Sequence, residues 1–177
     1  QVFTSAEVNI SKYNLSYASL ALGNSTFTYN GQEQIPDITA AIMKNGNKLE
    51  VIPDSSYSIS YKKGSDYCEN PTDVGTYAII LTAKDTAENY TGTKKAYYNI
   101  TKQDLKDAEV TISGTYVYHG SPVEPEPSQI RVVLNGLLVN ASEYEVEYAN
   151  NDAIGAATVL IKAKDTGNYV GNAHGTF

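Results

Sequence analysis

The feature that most constrains the fold is an internal repeat, because two parts of the 177-residue chain carry the same motifs in the same order. The segment FTYNG at residues 27–31 corresponds to YVYHG at residues 116–120, about 89 residues further on. Near the other end of each copy, AKDT at residues 83–86 corresponds to AKDT at residues 163–166. Self-similarity of this kind predicts two copies of one structural unit.

The spacing between matching motifs indicates where the copies differ and where they end. It shortens by about seven residues between Tyr61 and Gly75, so copy one carries an insertion there, which is typical of a surface loop. We predict a first repeat at residues 12–101 and a C-terminally truncated second repeat at 102–177. Residues 1–11 are predicted to be the terminal strand of a preceding module, or a strand added to the first, because VNISK at residues 8–12 resembles YNITK at residues 98–102.

Alternation of apolar and polar residues predicts β-strands in both copies. Tyr144, Val146 and Tyr148 alternate with Glu145 and Glu147, which is the period-two pattern of a half-buried strand. The same register recurs in copy one, so the apolar set is expected to face a core. The predicted core residues are Tyr57, Ile59, Tyr61, Ile79 and Leu81 in copy one, and Tyr144, Val146, Tyr148, Val159 and Ile161 in copy two.

Turn signals and the lack of helical spacing decide the fold class. Asn45-Gly46 and Asn135-Gly136 each separate apolar segments, and Asn-Gly is a strong hairpin signal. The best helical candidate, residues 103–108, is at most one turn. We predict an all-β chain of two tandem immunoglobulin-like antiparallel β-sandwich modules. A β-grasp module is the alternative, although it requires a crossing helix. The short linker before Leu105 predicts a stiff joint with Leu105 buried at a small interface between the modules.

The succession of motifs in copy two resembles a known family. It runs through Tyr118, Pro125, the strand at residues 144–148, Asn150-Asn151 and the NYVG segment at residues 168–171. This succession resembles the tandem Ig-like repeats, MBG-type and related, of bacterial cell-surface proteins. The resemblance covers nearly the whole chain from about Lys12, and copy one departs from it at the insertion. It implies a stalk, spacer or adhesion role and no chemistry.

Composition excludes several classes of partner. The net charge is −7 and no basic stripe occurs, so nucleic acid is not an expected partner. No apolar run approaches the ~20 residues of a membrane span, so this segment is not expected to insert into a membrane. Cys68 is the single cysteine, which leaves an inert thiol or an intermolecular crosslink as its two interpretations.

No constellation of residues predicts an enzyme. The two histidines are His119 and His174, and His119 matches Asn30 in copy one. We therefore expect no catalytic residue and no cofactor. The loops that follow Asp85 and Asp165 offer oxygen ligands suited to calcium. The favoured interpretation is that Asp and Asn cap these loops through backbone hydrogen bonds, and no metal ligand is predicted.

Three tyrosines, Tyr67, Tyr97 and Tyr98, have no evident structural reason and are the candidate ligand contacts. The sequence predicts a non-enzymatic structural or adhesive module of a secreted or surface-anchored bacterial protein, located at the cell surface and acting as a stalk or spacer. Expected partners are neighbouring repeats of the same chain and a glycan or protein of the host or cell wall. The alternative function is a carbohydrate-binding module attached to a secreted glycanase.

Overall fold

A computed structural model describes residues 9–44 and 48–177 of the chain. The predicted turn at Asn45-Gly46 and most of the predicted N-terminal strand lie outside the described residues. Within these residues the protein is all-β, with short 3-10 helices and no α-helix, which confirms the predicted all-β class. The β-grasp alternative therefore lacks its crossing helix in this part of the chain.

The strands are short and follow one another closely, as the frequent turn signals predict. In chain order they are β1 (Tyr13–Asn14), β2 (Ser19–Leu22), β3 (Thr26–Thr28), β4 (Ile38–Lys44), β5 (Lys48–Val51), β6 (Tyr57–Lys63), β7 (Asp66–Tyr67), β8 (Gly75–Ala83), β9 (Tyr90–Thr91), β10 (Thr93–Thr101), β11 (Gln103–Asp104), β12 (Glu109–Ile112), β13 (Ile130–Leu134), β14 (Leu137–Leu138), β15 (Tyr144–Ala149), β16 (Thr158–Ala163), β17 (Tyr169–Val170) and β18 (Asn172–Thr176). The 3-10 helices are Leu15–Tyr17, Asp54–Ser56, Leu105–Asp107, Pro127–Gln129 and Ala141–Glu143.

The chain forms two compact units. The first comprises the described residues of 1–27, 33–71 and 75–99, and the second comprises 28–32, 72–74 and 100–177. Two short segments that the sequence assigns to copy one, 28–32 and 72–74, are thus part of the second unit. The repeat boundaries expected from sequence alone remain predictions.

The described residues of the first unit form three groups of paired strands. One sheet has the order β2-β4-β5, and a five-stranded sheet has the order β3-β10-β8-β6-β7, with the last residues of β3 and β10 counted in the second unit. β1 pairs with β9 in parallel. Ile79 and Leu81 are almost completely buried, because alternate residues of β8 point into the unit. Ile52, directly after β5, is also fully buried.

The second unit has two three-stranded sheets, β12-β13-β14 and β15-β16-β18, and a parallel pair, β11-β17. Val132 of the first sheet and Ile161 of the other belong to one buried cluster, so apolar faces of both sheets share a single core, as in a β-sandwich. Leu105 belongs to the same cluster and is fully buried. The expectation that Leu105 lies at an interface between modules was wrong: its single helical turn directs it into the core of the second unit.

The central strand pairs of the two units have the same register. The antiparallel partners are Tyr57–Ala83, Ile59–Leu81 and Tyr61–Ile79 in the first unit, and Tyr144–Ala163, Val146–Ile161 and Tyr148–Val159 in the second. The predicted equivalence of the strands at residues 57–61 and 144–148 is therefore confirmed. Directly opposed residues of two paired strands have their side chains on the same face of the sheet, so the two side chains of each pair point to the same side.

One predicted core residue departs from its expected burial. Ile59 is 41% exposed although its partner Leu81 is buried. β6 has a neighbour on its outer side only at Lys62 and Lys63, where β7 pairs with it, so Ile59 lies along an open edge. The other predicted core residues are buried or half-buried.

The Asn135-Gly136 turn has the predicted conformation. The φ angles of Asn135 and Gly136 are 51° and 80°, and Leu134 pairs with Leu137 across them. Two successive residues with positive φ are typical of a type I′ hairpin turn, whose twist matches that of the strands it joins.

Candidate functional site

The three candidate tyrosines differ sharply in exposure. Tyr67 is 74% exposed and Tyr97 is 61% exposed, whereas Tyr98 is fully buried. Tyr97 and Tyr98 are consecutive in β10, so their side chains point to opposite faces of the sheet. Burial raises the pKa of Tyr98, whose ring stacks on the ring of Tyr77. Tyr98 is therefore part of the core of the first unit and is not accessible to a ligand.

Tyr67 and Tyr97 lie on the same face of the five-stranded sheet. Tyr67 is paired with Lys62, which alternates along β6 with the core-facing Tyr61, so both Lys62 and Tyr67 face outward. Tyr97 faces outward because Tyr98 faces the core. The sheet order places β8 and β6 between β10 and β7. Three strand spacings separate β10 from β7, or about 14 Å.

The outward surface of this sheet is mainly polar, with Ala78 and Ile80 as its apolar members. We call it the outer face; its described members are Thr93, Lys95, Tyr97, Asn99, Thr76, Ala78, Ile80, Thr82, Ser58, Ser60, Lys62 and Tyr67. The Thr76 hydroxyl donates to the Asn99 side-chain oxygen at 2.6 Å. The Lys62 ammonium lies 4.1 Å from the centroid of the Tyr67 ring, a cation–π distance that holds this ring in place. The sequence did not reveal this face, because it arises from the order of strands in the sheet.

The acidic loops show no arrangement for a metal ion in the part of the chain that the structure describes, where no group of three potential ligands is found. Asp85 and Asp165 are both exposed. The backbone oxygen of Asp165 accepts a hydrogen bond from the Lys102 ammonium at 2.5 Å. The interpretation of these loops as turns capped by Asp and Asn side chains stays a prediction.

Asn168 lies in the second of these loops, and both the nitrogen and the oxygen of its side-chain amide form hydrogen bonds. Its Nδ2 donates to Glu143 and to Asp73, each at 3.1 Å, and its Oδ1 accepts from the Val74 backbone N–H at 2.9 Å. Its backbone N–H donates to Glu143 at 2.7 Å. Asn168 thus has a structural role, binding residues 72–74 into the second unit, which the repeated NY motif alone does not reveal.

The remaining reactive side chains are dispersed. His119 lies in an exposed loop, and His174 is exposed on β18 opposite Leu160. Cys68 is half-buried, and its backbone N–H donates to the Tyr61 carbonyl at 3.0 Å. Among the described residues, no helix is long and apolar enough to cross a membrane.

Comparison with known proteins identifies one family. The MBG domain, a family of surface-protein domains, matches residues 17–114, which is more than half of the chain. The matched range contains both exposed tyrosines and the whole outer face. Searches of curated proteins and of solved structures find no match.

Proposed function

Because the chain belongs to the MBG domain family, we propose that it is a non-enzymatic module of a secreted or surface-anchored protein, acting as a stalk or spacer. The family match is the observation that carries this proposal. In this role the module contributes length and stability, and its partners are neighbouring modules of the same parent protein.

The proposal that two tandem modules build this spacer is supported by their strand pairing. The pairs Ile59–Leu81 and Val146–Ile161 have equivalent positions in the two units. Repeating a unit that has its own core lengthens a protein and requires no new chemistry. We propose an immunoglobulin-like topology for each module.

Surface display is tested with intact cells of the source organism. An antibody raised against this chain should label intact cells or the culture supernatant, and protease treatment of intact cells should remove the cell-bound signal. A cytoplasmic protein assayed in the same samples is the control. A signal that is protected from protease until the cells are lysed contradicts the proposal.

The spacer role is tested by small-angle scattering of the chain in solution. A spacer requires a narrow distribution of maximum dimensions, because a freely jointed pair of domains would not maintain reach. A distribution as broad as that of freely jointed domains contradicts the spacer role and leaves surface display unaffected.

The outer face supports a second candidate function, carbohydrate binding. Tyr67 and Tyr97 are exposed rings on one sheet face, about 14 Å apart by strand spacing. Aromatic faces stack on the apolar faces of sugar rings, and the hydroxyls and amide between them offer hydrogen bonds. The role of this module would then be to hold a secreted glycanase on its substrate.

Glycan-array binding of the isolated chain tests this second function. We expect Tyr67→Ala and Tyr97→Ala each to weaken binding, whereas Tyr17→Ala leaves it unchanged. Tyr17 is a suitable control because it is equally exposed but lies outside the outer face. Absence of binding to any glycan, or equal loss in the control, contradicts the carbohydrate function.

A further inference from the structure

Two contacts fix how β8 and β10 are aligned in the five-stranded sheet. The Thr76 hydroxyl donates to the Asn99 side-chain oxygen at 2.6 Å, and the Ala83 N–H donates to the Gly92 carbonyl at 3.0 Å. The two contacts agree, because the separation along the chain from Thr76 to Ala83 equals that from Gly92 to Asn99. The strands are therefore antiparallel, and each step forward along β8 is a step back along β10.

This alignment sets the two exposed tyrosines at the ends of one row across the outer face. Tyr97 lies opposite Ala78, which pairs with Lys62, which in turn pairs with Tyr67. We call these four residues the tyrosine row. Ala78 is the smallest member and is half-buried, so the middle of the row is low between its two rings. A chain of sugars that stacks on both rings therefore lies across the strands, along the row.

A lysine accompanies each ring of the tyrosine row. The Lys62 ammonium lies 4.1 Å from the centroid of the Tyr67 ring. Lys95 is two residues from Tyr97 in β10, so it is exposed on the same face of the sheet. By the spacing of strands and residues, the backbone positions of Lys62 and Lys95 are about 12 Å apart.

The charge of the outer face is opposite in sign to that of the whole chain. The chain has 20 acidic and 13 basic residues. Among the described members of the outer face the charged residues are Lys62 and Lys95, which are both positive. Asp66, the neighbour of Tyr67 in β7, points to the other side of the sheet because side chains alternate along a strand. The outer face is therefore complementary to a negatively charged ligand.

The spacing of rings and charges indicates which anionic glycan fits. A tyrosine ring stacks on a sugar face that carries no charge, so the ligand must keep its ring faces free. Two lysines about 12 Å apart match charges on separate sugar units, whereas a densely sulfated chain carries several charges on one unit. A uronic acid has a single carboxylate at the edge of its ring and leaves both ring faces uncharged.

We propose that the outer face binds an acidic polysaccharide that contains uronic acids. Sugar rings stack on Tyr67 and Tyr97, and carboxylates of the same chain pair with the Lys62 and Lys95 ammonium groups. The inference rests on the carbohydrate-binding function proposed above, and it names the substrate class of that site.

The first test compares acidic oligosaccharides with uncharged derivatives of the same sugars. Calorimetric titrations use oligomers of polygalacturonate, alginate and hyaluronan, each also in a form whose carboxyl groups have been reduced to alcohols. We expect at least one acidic oligomer to bind, and its reduced form to bind about fivefold more weakly or worse, because the ion pairs are lost. The preference should shrink as salt is added, since exposed ion pairs are screened.

The second test assigns the charge to the outer face. Lys62→Gln and Lys95→Gln should each raise the dissociation constant of the acidic oligomer about two- to fivefold, the range for one exposed ion pair, and leave the reduced oligomer unaffected. Lys62→Arg keeps the charge and should bind like the unmodified chain. Lys106→Gln is the matched control, because Lys106 is exposed on the 3-10 helix Leu105–Asp107, outside the outer face. It should change neither affinity.

The outcomes separate this inference from the function on which it rests. Equal binding of acidic and reduced oligomers, weakened by Tyr67→Ala, keeps the carbohydrate function and overturns the acidic substrate class. Stronger binding of dextran sulfate than of any uronic-acid oligomer overturns it as well. Lysine variants that weaken both oligomers equally would show a structural effect through the Tyr67 ring and would also overturn it. Binding to no carbohydrate at all overturns both the inference and the carbohydrate function.

Discussion

The ring of Tyr98 stacks on the ring of Tyr77, with centroids 5.4 Å apart and planes inclined by 21°. Both rings are fully buried, and no described residue hydrogen-bonds the Tyr98 hydroxyl. The corresponding residues of the second unit are Phe177 and Ala157, which exchange two backbone hydrogen bonds of 2.9 and 3.1 Å. The second unit thus keeps the strand contact without a buried hydroxyl.

Removing that hydroxyl should therefore stabilise the first unit. A buried polar group without a partner costs about 1–3 kcal/mol, so we expect Tyr98→Phe to raise the free energy of unfolding by about 1 kcal/mol. The matched control is Tyr57→Phe, which removes a 2.5 Å hydrogen bond to Asp54 and should lower stability. Urea unfolding of the three proteins measures both changes. A loss of stability in Tyr98→Phe would show that the hydroxyl has a stabilising partner in solution.

The core of the second unit gives a prediction about burial. Ile161 is fully buried between the two sheets, so Ile161→Ala should cost about 2–5 kcal/mol through lost contacts and a residual cavity. Ile154→Ala, at an exposed position of the same unit, should change stability by no more than about 0.5 kcal/mol. Equal effects in denaturant melts would mean that the assignment of faces is reversed.

Gly171 gives a prediction about backbone conformation. Its φ is +78°, and an added Cβ would lie 2.4 Å from the Asp104 carboxylate. Gly136 has a similar φ of +80° with nothing within 4 Å of an added Cβ. Gly136→Ala should cost roughly 1–2 kcal/mol from the left-handed conformation alone, and Gly171→Ala should cost more because a clash is added. Thermal melts of the two variants separate these contributions, and the reverse order would contradict the argument.

Buried tyrosines predict a loss of stability at high pH. The pKa of Tyr57 is raised from 10.0 to about 12, mainly by burial and secondly by the hydrogen bond to Asp54. The folded chain thus favours the neutral phenol more than the unfolded chain does. The stability from this difference is complete below pH 10 and is lost as the pH rises through about 12.

Burial raises the pKa of six further tyrosines, so the effect should accumulate over the same range. These are Tyr29, Tyr61, Tyr98, Tyr144, Tyr148 and Tyr169. Urea midpoints measured between pH 8 and pH 12 should fall steeply only above about pH 10, while tyrosinate absorbance reports ionisation. Tyr57→Phe should fall less steeply than the unmodified chain. A midpoint that does not change over this range would contradict the prediction.

The sequence determined the central strands and which of their side chains share a face, because alternation depends only on neighbours along the chain. The pattern at Tyr144, Val146 and Tyr148 fixes which side chains share a face, and the repeat provides a second copy of the same pattern. The Asn135-Gly136 turn was equally local, since two residues with positive φ suffice to close the hairpin.

Tertiary structure decided which of those faces are covered. Ile59 has the right alternation but lies at an open sheet edge, and Leu105 enters the second core because a single turn redirects it. Tyr97 and Tyr98 are adjacent residues of the same type, and only the packing of β10 shows which of them is buried. The outer face likewise depends on the order of strands across the sheet. Burial is a property of contacts between distant segments, which a local pattern of residues does not specify.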